Sequence, residues 1–205
     1  MGSAQAAPVT WYTAIEGGWN GIADADIDYI GTIPATVTLV VTTPAEAQFD
    51  SGWALFATLG MDMGGGWRSE GELGYRSNDL KIAIPTTFNT VTKAGSLDEL
   101  SLMINWLLDV PLSNSLKLTL GGGIGGEYAK LKTDFGFDGS EWSLAYQGIV
   151  GLSFALDQQT ELTLNYRHFR VIEPEFKDFV GPVDEKINFD EIGKNSLTIG
   201  LRREL

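Results

Sequence analysis

The chain has no cysteine, so it holds no disulfide framework, no thiolate metal site and no cysteine nucleophile. It has no run of about 18 or more apolar residues, which excludes a membrane-spanning helix. Basic residues are scarce: Lys and Arg number 14 against 27 Asp and Glu, a net charge of −13. A phosphate backbone is held by Lys and Arg, so this balance excludes nucleic acid as a partner. No helical period of a length comparable to the strand pattern competes with it. Nothing in the chain matches a phosphate-binding GxxxxGK[ST] loop, a zinc motif or a redox motif. Gly121-Gly122-Gly123-Ile124-Gly125-Gly126 lies within a strand pattern and opens no helix, so it is not a nucleotide loop.

What is present is alternation with a period of two. The last ten residues show it most clearly. Leu197, Ile199, Leu201 and Leu205 share one face, and Ser196, Thr198, Gly200, Arg202 and Glu204 share the other. In an open soluble sheet such a strand invites edge-to-edge pairing, whereas a closed barrel pairs it with the first strand. The pattern recurs in about eight segments: 11–20, 52–63, 67–81, 97–110, 116–132, 141–156, 160–172 and 196–205. Their connections alternate long and short. The long ones are 21–50, a loop through Pro85 and Lys93, 134–140 and the acidic 173–194. The short ones are Gly64-Gly65-Gly66, Pro111-Leu112-Ser113-Asn114 and Asp157-Gln158-Gln159. Outer-membrane barrels have short periplasmic turns and longer outer loops, and an even strand count leaves both termini on the periplasmic side. Segments of 10 or more residues also suit tilted bilayer crossings.

The chemistry of the two faces decides between a lipocalin-type barrel and a membrane barrel. Leu100, Leu102, Ile104, Trp106 and Leu108 share one face of the fourth segment, against Ser101, Met103, Asn105, Leu107 and Asp109. The sixth sets Trp142, Leu144, Tyr146, Val150, Leu152 and Phe154 against Ser143, Ala145, Gln147 and Ser153. One face is large and apolar throughout; the other is expected to be small, glycine-rich or charged. Eight strands enclose room for side chains only, so the small and charged set faces inward and the apolar set outward. In water that outward belt would far exceed the exposed apolar patches of soluble proteins; in lipid it is required. Trp11, Trp19, Trp67, Tyr75, Tyr128 and Trp142 suit the two interfacial girdles. The expected fold is therefore an all-β, eight-stranded, antiparallel up-and-down transmembrane β-barrel over residues 9–205. Residues 1–8 are expected to form a disordered remnant: Ser3-Ala4-Gln5-Ala6-Ala7-Pro8 reads as the small-residue end of a removed signal peptide, with Met1-Gly2 added ahead of it.

Three stretches, Gly66-Trp67-Arg68-Ser69-Glu70-Gly71-Glu72-Leu73-Gly74-Tyr75-Arg76-Ser77-Asn78, Ala145-Tyr146-Gln147-Gly148-Ile149-Val150-Gly151-Leu152-Ser153-Phe154 and Leu162-Thr163-Leu164-Asn165-Tyr166-Arg167-His168-Phe169-Arg170, resemble the small outer-membrane β-barrels of opacity proteins, surface antigens and the outer membrane protein A barrel. The resemblance covers nearly all the strands and not the connections. It implies a bacterial outer-membrane location, partners among outer-membrane lipids and lipopolysaccharide, and handling by the barrel-assembly machinery during biogenesis.

The candidate site is the lumen. Parity places Glu16, Arg68, Glu70, Glu72, Arg76, Asn105, Glu127, Gln147, Asn165, Arg167, Arg202 and Glu204 inside. Unpaired charges there would be costly, so a salt-bridge network is expected to plug the barrel, with Glu72 and Arg167 as the candidate gating pair. The sole histidine, His168, falls with Tyr166 on the outward face and lacks a matching serine motif, so catalysis is not expected. Asp24, Asp26 and Asp28 lack the tight glycine turn of a calcium loop. No cofactor is expected; the acidic outer connections could attract divalent cations that bridge to lipopolysaccharide phosphates. The leading function is a surface barrel displaying outer loops for adhesion, surface protection or envelope integrity. The alternative is a narrow porin-like channel for ions or small solutes.

Overall fold

The computed structural model describes residues 9–23, 25–33, 39–85, 90–134, 138–172, 175–180, 183–189 and 191–205. Twelve strand segments are described: β1 (Thr10–Ile22), β2 (Ala25–Ile33), β3 (Leu39–Phe49), β4 (Gly52–Gly64), β5 (Trp67–Pro85), β6 (Thr90–Pro111), β7 (Leu116–Thr133), β8 (Asp138–Ala155), β9 (Thr160–Ile172), β10 (Glu175–Val180), β11 (Val183–Phe189) and β12 (Glu191–Glu204). They form one antiparallel sheet. β1 pairs with β12 on one side and β4 on the other, and the ladder continues through β5, β6, β7, β8 and β9 back to β12. Eight strands therefore close the barrel, as the alternation predicts.

The remaining four segments continue the barrel strands outward. β2 prolongs β1, β3 precedes β4, β10 prolongs β9 and β11 precedes β12, each across a break of one or two residues. β2 pairs with β3 and β11, β3 with the outer part of β5, and β10 with β11 and at one point with β8. The expected long loops are thus corrected to strand extensions. The segments 21–50 and 173–194 are largely strand, β5 runs to Pro85, β6 starts at Thr90 and β8 starts at Asp138. The polar and acidic composition of 21–50 and 173–194 drew the loop reading, although β2 and β11 keep a period-two alternation in sequence.

Dimensions agree with this division. Trp11 and Trp19 on β1, like Trp67 and Tyr75 on β5, are eight residues apart, about 26 Å along a strand and about 20 Å in height after a tilt near 40°. That matches an apolar band about 25 Å tall. The 19 residues of β5 rise about 50 Å at that tilt, so roughly half of the strand stands beyond the band. Between the girdles the outward side chains, among them Leu59, Leu102, Ile104, Ile124, Leu152, Leu164 and Ile199, are exposed. Above, the outward face turns polar: Ser77 and Tyr75 both donate to Asp98, at 2.8 and 3.0 Å, and Lys81 pairs with Asp50 at 2.9 Å.

The inner turns are tight. Gly64, Gly65 and Gly66 adopt φ of 83°, 66° and 85°, a left-handed conformation that glycine reaches without strain. In the turn between β8 and β9, the backbone N–H groups of Gln159 and Thr160 each donate to Asp157 at 2.8 Å. These bonds hold its carboxyl below the usual carboxylate range.

Candidate functional site in the barrel lumen

Side chains fill the lumen in successive levels, because inward residues recur every second position and the register aligns them across strands. Glycines make room: a methyl group at Gly123 would overlap the Asn105 amide, and one at Gly151 the Asn165 amide. At Gly74 it would come within 2.9 Å of the Phe56 ring.

At the periplasmic level, Arg68 lies against Asp109 in a two-pronged pair of 2.9 and 3.0 Å and donates to the Tyr12 hydroxyl at 2.7 Å. Tyr12 in turn donates to Glu70 at 2.7 Å. Arg202 joins Asp109 at 3.2 Å and also binds Glu161, which receives Lys117 at 2.7 Å. A cavity of about 20 Å³ opens beside this level, bordered by Tyr12, Glu16, Arg68 and Arg167; that is room for about one water.

The middle level is a triad. Arg167 sits between Glu16, at 2.8 Å, and Glu72, at 3.0 Å. Asn165 and Thr198 also donate to Glu16, at 2.7 and 2.8 Å, and Gln147 donates to Glu72 at 2.9 Å. Asn105 connects the levels, donating to Glu70 at 3.2 Å and accepting from Gln147 at 2.8 Å.

The next level outward mixes charge with aromatic surface. Lys194 binds Glu127 at 2.6 Å and also Glu99. Arg76 donates to Ser101 at 3.0 Å, lies 3.8 Å from Glu127 and covers the Phe169 ring at 4.0 Å. Arg167 stacks over Phe56 at 4.3 Å. Nε and Nη2 of Arg76 have no hydrogen-bond partner; its guanidinium plane lies on aromatic faces instead, a favourable contact once desolvated. Beyond this level, Ser196 donates to Asn20, and Asn20 to Asn78, at 2.7 and 2.6 Å.

The outermost level among the described side chains is apolar. Ile22, Leu80, Leu97 and Ile192 each stand two residues further out than Asn20, Asn78, Glu99 and Lys194, and Leu131 is the register partner of Leu97. All five are buried. Beneath them Lys194 and Arg76 are 0% exposed and Glu99 is 1% exposed, whereas Arg202 and Asp109 at the periplasmic level are each 7% exposed. Among the described residues, the lumen charges nearest the outer level are thus more deeply buried than those at the periplasmic end.

Of the residues parity placed inside, all are buried except Glu204, which is exposed. It stands where β12 leaves the wall, so it meets solvent at the mouth. Glu72 and Arg167 are in direct contact, and Arg68, Glu70, Arg76, Glu127 and Arg202 take part in the levels above. The expectation of a small or charged interior is corrected by Phe56, Phe169, Met103 and Leu107, all buried inside; large rings fit because they stack against guanidinium groups and opposite glycines. Asp109, read from the sequence onto the inward face, is a lumen residue, whereas Glu99 and Lys194 were missed. Glu99 shares the parity of Ser101 and Asn105, and Lys194 that of Ser196 and Thr198, so extending the alternation to each strand end would have found them. His168 faces outward as expected: its Nδ1–H donates to Asn195 Oδ1 at 2.8 Å and its Nε2 accepts from Arg170 Nε at 3.1 Å. The side chains of Asp24, Asp26 and Asp28 and of most acids in 173–194 lie outside the described residues.

A closed eight-stranded wall, an outward apolar belt between aromatic girdles and a charged, filled lumen together define a membrane barrel. The model of the outer membrane protein beta-barrel domain matches residues 2–203. The chain belongs to that family. Its place is the bacterial outer membrane. An outer membrane protein of Gluconacetobacter diazotrophicus is 24% identical over 198 residues, covering 90% of this chain and 51% of the relative; the chain thus spans about half the length of that curated relative. Among solved structures, Neisserial surface protein A matches with a TM-score of 0.57 at 11% identity, covering 97% of this chain and all of the other. The outer membrane protein OprG of Pseudomonas aeruginosa matches with a TM-score of 0.59 at 15% identity, covering 95% of each chain. Both likenesses concern the fold of this family.

Proposed function

We propose that this barrel is a non-conducting surface protein: a plugged membrane anchor that holds a β-walled extension outside the cell for adhesion, surface protection or envelope integrity. The observation that carries the reading is the outer lumen, where buried apolar residues stand beyond charges that are almost wholly buried. An ion crossing that level would lose its hydration without replacement ligands. The strand extensions support the display role, since hairpins continued from the barrel wall are stiffer than loops. The likeness to a surface protein of Neisseria is consistent with it and concerns fold alone.

Catalysis has no support at His168, whose contacts are Asn195 and Arg170. At the tips, the acidic stretch 173–194 would collect divalent cations that bridge to lipopolysaccharide phosphates. The display role is tested by replacing the β10–β11 hairpin, 175–189, with a two-residue turn in cells that carry the barrel at their surface. Reduced attachment or reduced envelope resistance, with unchanged barrel content in the membrane, is the expected result. Unchanged attachment and resistance would contradict it. The channel reading rests on the Glu16–Arg167–Glu72 triad, where Arg167 already contacts two carboxylates and could favour either; reproducible conductance steps that change in Glu72→Ala would favour it.

A further inference from the structure

The two inner levels of the lumen do not balance their charge. Among the described residues, the periplasmic and middle levels bring the carboxylates of Glu16, Glu70, Glu72, Asp109 and Glu161 to only four cations, Arg68, Arg167, Arg202 and Lys117. The charged level beyond them is even, with Glu99 and Glu127 against Arg76 and Lys194. One negative charge is left over, and a buried charge without a counter-charge is costly. The shortfall falls at Glu70. Arg68 lies in its two-pronged pair with Asp109 and reaches Glu70 only at 3.4 Å, while Arg167 is shared between Glu16 and Glu72.

Thr58 stands among these acids. Its register partners are Ala14 on β1 and Glu72 on β5, and Glu16 and Glu70 lie two positions further along the same strands. Diagonal neighbours of this kind are about 7–8 Å apart, within reach of a long side chain. Thr58 is 7% exposed, and its hydroxyl makes no hydrogen bond with a described residue. A buried polar group in that position calls for a partner. The hydroxyl borders the cavity of about 20 Å³, together with Ala14, Glu16 and Glu70. A hollow of about 10 Å³ at the periplasmic mouth, bordered by Thr10, Asp62 and Glu204, shares Tyr12, Arg68 and Arg202 with that cavity. Only these shared side chains stand between the two.

We propose that the cavity binds one monovalent cation of sodium size, held by the Thr58 hydroxyl and the carboxylates of Glu16 and Glu70 and admitted from the periplasmic mouth. Hard cations take oxygen ligands, and all three of these groups offer oxygen. Oε1 of Glu70 accepts one hydrogen bond, from Asn105, so a lone pair remains for a cation. The size of the charge selects the ion class. One surplus negative charge matches a monovalent cation. Calcium requires six to eight oxygens and magnesium keeps several of its waters, whereas this cavity has room for about one water. The guanidinium groups of Arg68 and Arg167 also border the cavity, but each is turned to carboxylates that offset its charge. The ion is a structural one: it completes the charge balance of the plug and goes no further.

The test is urea unfolding of the refolded full chain in phosphatidylcholine vesicles, whose surface carries no net charge. Sodium chloride replaces choline chloride stepwise at constant ionic strength. The folded-to-unfolded ratio of the wild type should rise with sodium, about tenfold when sodium stands at ten times its Kd. Thr58→Val, which removes the hydroxyl and keeps the shape, and Glu70→Gln, which removes the surplus charge and keeps acceptors for Tyr12 and Asn105, should each lose most of that rise. Lys81→Ala, at the exposed pair with Asp50, should respond as the wild type does. Heat-modifiable gel mobility confirms that each variant is a folded barrel before unfolding. Equal ratios for the wild type in sodium and in choline would overturn the proposal, since a proton would then supply the missing charge. A sodium response that both Thr58→Val and Glu70→Gln retain would overturn it as well, as a general salt effect.

Discussion

The two ends of the lumen are built on opposite principles. Toward the periplasm, Arg68, Asp109, Arg202, Glu161 and Tyr12 form a hydrogen-bonded network that solvent can reach. Toward the outside, Leu80, Leu97, Leu131, Ile22 and Ile192 are buried at inward positions beyond Lys194, Glu99 and Arg76, which are buried more deeply than the periplasmic charges. The difference teaches what each part is for. Charges lock strands into register because each demands a particular partner, while their desolvation makes them poor sources of net stability. An apolar level carries no such demand and simply excludes water. The buried charges are nearly balanced: Glu16, Glu70, Glu72, Glu99, Asp109 and Glu127 against Arg68, Arg76, Arg167, Lys194 and Arg202. The large negative charge of the chain therefore resides mainly outside the lumen.

The comparison breaks most visibly at the triad. Glu72→Ala leaves Arg167 with one of its two carboxylates and Gln147 with Asn105 as its remaining acceptor. The expected loss is about 3–5 kcal/mol, the cost of opening a buried ion pair, read from urea unfolding in lipid vesicles. Leu131→Ala in the apolar level should cost about 2–5 kcal/mol through the cavity it leaves, with every ion pair of the periplasmic level intact. Replacing the whole triad by apolar residues, Glu16→Leu with Glu72→Leu and Arg167→Met, sharpens the contrast. That protein should be as stable as the wild type or more so, and loss of a single folded species on gels would show that the charges specify register.

Smaller effects mark the boundary between the wall in lipid and the wall in water. Leu164→Arg, on the apolar belt, should cost about 2–4 kcal/mol in the same unfolding experiment. Lys81→Ala, which opens the exposed pair with Asp50, should cost less than about 1 kcal/mol. The smallest effect is at Asp157. Its carboxyl is lowered in the folded state by the N–H groups of Gln159 and Thr160. Its contribution is therefore complete above the unfolded carboxylate pKa of about 3.9 and is lost as pH falls through the lower folded value. Asp157→Asn should flatten that acid limb slightly and lower stability slightly at neutral pH, with little effect below the folded pKa, where the contribution is already lost.

The membrane-spanning part was legible in the sequence because lipid outside and packed charge inside impose opposite chemistry on alternate residues. Leu102 against Met103 and Tyr166 against Arg167 could be assigned to faces from the chain alone. The extensions were overlooked because 21–50 and 173–194 were read by their polar composition, although β11 alternates Val183, Glu185, Ile187 and Phe189 with Asp184, Lys186 and Asn188 in sequence. Within the site, the types of lumen residue followed from parity, whereas their partners did not. Arg167 meets Glu16 from β1 and Glu72 from β5 across the lumen, a pairing fixed by strand stagger. Phe56 and Phe169 were legible as inward positions but not as fillers, since their role depends on which guanidinium groups lie opposite.

The central claim is that the outer lumen is sealed, and single-channel recording of the refolded chain in a planar lipid bilayer tests it most directly. With insertion confirmed by gel mobility of the recovered protein, the account predicts a silent membrane for both the wild type and Glu72→Ala, because the apolar level is intact in both. Discrete, reproducible conductance steps from the wild type would contradict it.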